Sequence, residues 1–174
     1  MSAGVLLFLT MRVFHVALAG AWFGAAMFTT LYLGPAVADA GPAGGQMMTI
    51  LVRRGIVKYM ASIGGLTIVS GVYLFWRFTG GFDPAISSSR AGMAFSVGAL
   101  TGLIALILGG SMIGASAKKL AALGAKAAGM PDGADRAALM TTMDSLRGRM
   151  DTFSKIVTAL LFISMATMAL GHYI

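Results

Sequence analysis

The chain has 174 residues, of which 57% are apolar and only 11% charged, and its mean hydropathy is +0.84. A soluble domain of this size carries about 25% charge, so a water-facing globular surface is excluded. The formal charge of +7 reflects 13 Lys and Arg against six acids, all of them Asp, and the lack of cysteine excludes disulfides, thiolate metal sites and cysteine catalysis.

Four apolar runs are long enough to cross a bilayer, which takes roughly 20 residues each. They cover about residues 5–33, 56–78, 92–117 and 153–173. No strand-like alternation competes with them. The expected fold is an all-α membrane protein, a single domain over residues 1–174, with four transmembrane helices in an up-down-up-down bundle. Ala17, Leu18 and Ala19 match a signal-cleavage pattern. However, no basic segment precedes the run, Arg12 sits inside it, and it continues to Leu33, so it reads as an uncleaved span.

The first loop holds Pro35 and the breaker cluster Gly41, Pro42, Ala43, Gly44 and Gly45, after which residues 47–58 are expected to begin the second helix. The middle loop, residues 79–90, has Asp83 and Pro84 as turn chemistry. In the third loop, residues 118–128 should extend the third helix. Residues 129–133 then form a stop and turn, with Asp132 as the expected N-cap of the next helix. Leu139, Met143, Leu146 and Met150 fall at helical spacing. The third and fourth helices are therefore expected to project as a hairpin. The stripe packs that hairpin on itself or on the first loop, or else docks a partner subunit.

With four spans, both termini and the middle loop share one side. The first and third loops and their flanks hold Arg53, Arg54, Lys58, Lys118, Lys119, Lys126, Arg136, Arg147, Arg149 and Lys155, while the other side holds Arg12, Arg77 and Arg90. Basic excess marks the cytoplasmic side. The expectation is a bacterial cytoplasmic (inner) membrane, both termini outside and a cytoplasmic hairpin. The positive charge then reflects orientation and attraction to anionic inner-leaflet lipid rather than nucleic acid.

Lipid is as apolar as leucine, so spans associate through small residues that let backbones approach. The first span has Gly20 and Gly24 four apart; the third has Gly98 with Gly102 and Gly110 with Gly114; the second has Gly64, Gly65 and Gly71. These faces serve packing within the bundle or an oligomer interface. Trp22, Trp76, Tyr32, Tyr59, Tyr73 and Tyr173 read as packing and interfacial belt.

No acid lies inside a span, which disfavours cation-coupled transport and proton pumping, and catalytic acid–base pairs lack their parts. Two histidines remain, His15 in the first span and His172 at the end of the fourth, each with a methionine four residues earlier, Met11 and Met168. In an antiparallel pair, Met11 would sit level with His172 and His15 level with Met168, with Met165 extending that face. Two imidazoles and two thioethers suit Cu(I), or can supply axial ligands to haem b, with Arg12 and Arg77 placed for propionates. The bland alternative is that His15 only hydrogen-bonds a neighbouring helix and His172 is an interfacial residue beside Tyr173.

His15, then Trp22, Phe23 and Gly24, and later Gly34 and Pro35, form a pattern that resembles the opening helix of small bacterial membrane families related to copper resistance protein D and of the membrane-bound protoporphyrinogen oxidase type. The resemblance covers about 30 residues and implies a small helical bundle with His15 as a haem or copper ligand candidate. It also raises a porphyrin-oxidising enzyme as an alternative. The role expected from the residues themselves is non-catalytic: an accessory, assembly or scaffold subunit resting in the bilayer among other membrane subunits.

Overall fold

A computed structural model describes residues 2–174. Its regular structure is helical, with no strand among the described residues: α1 (Ala3–Phe28), α2 (Gly34–Asp39), α3 (Gly41–Arg53), α4 (Ile56–Phe78), α5 (Pro84–Ser87), α6 (Arg90–Leu108), α7 (Ala115–Ala128) and α8 (Ala134–Leu170). Two π-helical segments, Thr29–Leu33 and Gly109–Gly114, join α1 to α2 and α6 to α7 without breaking the rod. Four continuous helical stretches are thus long and apolar enough to cross a membrane: Ala3–Asp39, Ile56–Phe78, Arg90–Ala128 and Ala134–Leu170.

Several boundaries differ from those expected. Pro35 does not end the first helix. It cannot donate to the ladder, and the chain passes it by widening into a π turn whose closing bond runs from the Gly34 N–H to the Thr29 carbonyl. Residues 41–53, expected as loop and the start of the second helix, form a separate helix. Pro42 sits in its first turn, where a missing N–H costs nothing. Gly55, at φ +91°, then separates α3 from α4. Asp132 does not cap α8. Gly133 holds that position, and the Asp132 carboxylate pairs with Arg136 one turn on. The fourth helix ends at Leu170, and residues 171–173 are a turn.

The expected turn chemistry does operate in the middle loop. The Asp83 carboxylate accepts from the N–H groups of Ala85 and Ile86, and the Ser89 hydroxyl accepts from the Gly92 N–H at the start of α6.

α1 packs chiefly on α4, and α6 on α8, while α3 and the N-terminal half of α8 both pack on α7. The buried core combines Trp22, Ala26, Ile63, Ala105, Val157 and Leu161 from all four long helices. Bare backbone makes this possible. A β-carbon at Gly98 would lie 2.7 Å from Met168 Cγ, one at Gly102 would lie 3.3 Å from Ser164 Oγ, and one at Gly114 would lie 3.1 Å from Val57 Cγ1. Gly64 and Gly71 of α4 are equally close to Trp22 and His15. Gly20, Gly24 and Gly110 behave otherwise, with nothing within 4 Å of their β-carbon positions. The spacing of four identifies a smooth face, not which way it points.

At 1.5 Å per residue, α8 is about 55 Å long, well beyond a hydrocarbon core of about 30 Å. In its N-terminal half Met143 is buried and Leu139, Leu146 and Met150 are half-buried, so the apolar stripe faces the packed side. The charged residues stay outside, and the pairs Asp132–Arg136, Asp144–Arg147 and Asp151–Lys155 form along the exposed face.

Candidate functional site

One candidate site is built around His15. The ring is half-buried, and α1 aims it at α4, where Gly71 leaves room: His15 Cε1 lies 2.9 Å from the position of a Gly71 β-carbon. His15 Nδ1 is 2.9 Å from the Thr67 carbonyl oxygen and 3.1 Å from Ser70 Oγ. A carbonyl only accepts, so Nδ1 carries the hydrogen. The Ser70 hydroxyl donates to the Leu66 carbonyl at 2.7 Å, which leaves its oxygen to accept from the imidazole. Nε2 of the neutral ring therefore keeps its lone pair. A ligating histidine is typically held in this way, with its second nitrogen fixed by a carbonyl or hydroxyl.

His172 is prepared differently. It lies in the exposed turn after α8, so the helical register that would align it with Met168 is lost. Arg12 Nη2 lies 3.3 Å from His172 Nε2. The guanidinium has only donors, so Nε2 accepts and its lone pair is engaged. The ring meets Phe95 edge-on, with centroids 5.3 Å apart, and Phe95 in turn packs on Gly171. Arg12 is thus the polar partner of His172.

Met168 lies against Gly98 of α6, and Met11 is half-buried on α1. Arg77 is exposed in the last turn of α4. Among the described residues no group of three or more His, Cys, Asp or Glu is placed to hold a metal ion. As a haem or copper site, then, the residues fit in part. His15 has the tautomer and support of a ligand, whereas His172 in this arrangement has its Nε2 committed to Arg12.

Sequence reasoning missed the partners of His15. The signal was present in Gly64, Thr67 and Gly71, which lie three and four apart and set small and hydroxyl-bearing residues on one face of α4. Polar groups elsewhere in the core are likewise satisfied. Ser164 donates to the Gly98 carbonyl at 2.7 Å, and the Thr30 and Thr158 hydroxyls are 2.9 Å apart.

A second candidate lies toward the other end of the long helices. It is an apolar cavity of about 140 Å³. Both π-helical segments contribute to its wall, together with Trp22, Met60, Ala105 and Val157. Bulges of this kind occur often at functional sites. Two of its hydroxyls are spent internally, Thr29 on the Ala25 carbonyl and Thr30 on Thr158.

Comparison with known proteins finds no match to the chain, whether among protein-family models, curated proteins or solved structures.

Proposed function

We propose that the chain is an integral accessory or assembly subunit that docks on a larger membrane complex through its first span. The supporting observation is the state of that span's outer face. Its most apolar 18-residue stretch has no buried residue, against 17–22% in the other three spans. On the same helix nothing lies within 4 Å of the β-carbon positions of Gly20 and Gly24, and Val13 and Leu31 are exposed on that side. Small residues at a spacing of four admit another helix closely, and this pair is not spent on the chain's own packing.

In this reading the helices form an up-down-up-down bundle in a bacterial inner membrane. The ten basic residues of the first and third loops then lie in the cytoplasm and both termini outside. The α7–α8 hairpin projects into the cytoplasm.

Purification in mild detergent is the test. The wild-type chain should co-purify with other membrane subunits, and Gly20→Leu with Gly24→Leu should lose them while keeping its helical content. Recovery of the wild type only as a lone monomer would contradict the proposal.

A second reading is a haem b or copper protein, favoured by the His15 tautomer. His15 Nε2 would be the ligand atom, and Thr67 and Ser70 would hold the ring. An absorption spectrum with metal analysis decides it: a Soret band or bound copper lost in His15→Ala supports the reading, and a colourless, copper-free preparation removes it.

A further inference from the structure

Three of the residues that line the apolar cavity are each followed in the chain by a basic residue. On α3 and α4, Val52 and Val57 line it, and the next residues are Arg53 and Lys58; on α7, Ala117 lines it and is followed by Lys118. Val57 Cγ1 lies 3.1 Å from the Gly114 β-carbon position and α3 packs on α7, so the three segments converge. All three basic side chains are exposed. None of the three ion pairs, Asp132 with Arg136, Asp144 with Arg147 and Asp151 with Lys155, involves them.

The wall also reaches the surface. Ala61 of α4 and Gly110 of the second π segment line the cavity and are exposed, and nothing lies within 4 Å of the Gly110 β-carbon position. An opening between the second and third spans therefore leads sideways into the bilayer. The volume resembles that of an engineered apolar cavity of about 150 Å³ that stays dry and admits benzene. It excludes a haem and takes a short length of hydrocarbon chain.

We infer that this is a binding site for an anionic phospholipid, with one acyl chain entering the cavity past Gly110 and the phosphate headgroup held by Arg53, Lys58 and Lys118. Three features together select this occupant. The apolar wall disfavours water, the opening faces lipid, and the cationic rim stands where a chain's headgroup would emerge. The inference is independent of the docking role assigned to the first span.

Trp22 lines the cavity and is only 5% exposed, so it reports on the occupant. The Trp76→Phe protein, with Trp22 as its sole tryptophan, is reconstituted in phosphatidylcholine vesicles. It is then titrated with phosphatidylglycerol or phosphatidylcholine brominated on the acyl chains. Brominated phosphatidylglycerol should quench Trp22 at a lower mole fraction than brominated phosphatidylcholine. Gly110→Leu, at a position with nothing within 4 Å of its β-carbon, should abolish the extra quenching. Lys58→Gln, a surface change that leaves the fold alone, should weaken the preference about fivefold, as expected for one charge near the surface.

Equal quenching by the two lipids would overturn the proposal, as would unchanged quenching in a Gly110→Leu protein of normal helical content. Added glycerol phosphate should leave the quenching in place. Loss of the preference in its presence would assign the rim to free phosphate instead and overturn the lipid site.

Discussion

The indole of Trp22 fills the space left by Gly64: its Cε2 and Cζ2 lie 3.0 Å from where a β-carbon at residue 64 would stand, with Leu106 Cδ1 on the same spot at 2.9 Å. One glycine thereby lets α1, α4 and α6 meet around a single aromatic ring. Filling it forces a rigid ring system aside. Gly64→Leu should cost about 1–3 kcal/mol, as overpacking does, read as a lower thermal midpoint in detergent. Gly65→Leu is the control, because nothing lies within 4 Å of its β-carbon position; it should change stability by less than about 0.5 kcal/mol.

The same contrast separates the glycine pairs of the first and third spans. Gly98→Val would collide with Met168 and Thr167 and disturb the Ser164 bond to the Gly98 carbonyl. It should lower the midpoint by an amount equivalent to about 1–3 kcal/mol. Nothing lies within 4 Å of a β-carbon at Gly24, so Gly24→Val should leave the midpoint of the isolated protein unchanged. Thermal melts of the two variants side by side check this.

These pairs show how far the sequence could be read. Four long apolar helices were legible because a bilayer requires about 20 apolar residues per crossing, a demand visible in composition alone. The inward stripe of Leu139, Met143, Leu146 and Met150 was legible for the same kind of reason, since periodicity defines a face. Orientation about the helix axis was not. Gly20 and Gly24 share the spacing of Gly98 and Gly102, yet only the second pair meets a neighbour. The breakers also misled, because Pro35 and Pro42 are both accommodated in helix, one by a π turn and one in a first turn. At the candidate site, His15 was identified but its partners on α4 were not, because they depend on which helix lies beside α1.

His15 crosses from α1 to α4, so its bonds tie two spans together. Ser70→Ala removes one acceptor and leaves the Thr67 carbonyl. Interhelical hydrogen bonds in membranes average about 0.6 kcal/mol, so the midpoint should fall slightly. His15→Leu removes both contacts and should cost about twice as much. Chemical denaturation in detergent micelles, comparing the two variants with wild type, measures the difference.

Gly55 holds φ +91° between α3 and α4. A side chain in the left-handed region costs roughly 1–2 kcal/mol, so Gly55→Ala should destabilise the chain by about 1 kcal/mol. Gly129, which ends α7 at φ −100°, carries no such demand, and Gly129→Ala should be close to neutral. Parallel thermal scans of the two alanine variants check the prediction.

Because the chain contains no cysteine, single introduced cysteines report side without background. Ser2→Cys, Gly133→Cys and Tyr173→Cys place a thiol near each end of the chain and in the turn between α7 and α8. In spheroplasts, a membrane-impermeant maleimide should label the thiols at residues 2 and 173 directly, and the one at residue 133 only after the membrane is broken. Labelling of residues 2 and 173 from opposite sides of the membrane would contradict the four-crossing arrangement on which the proposed docking role is built.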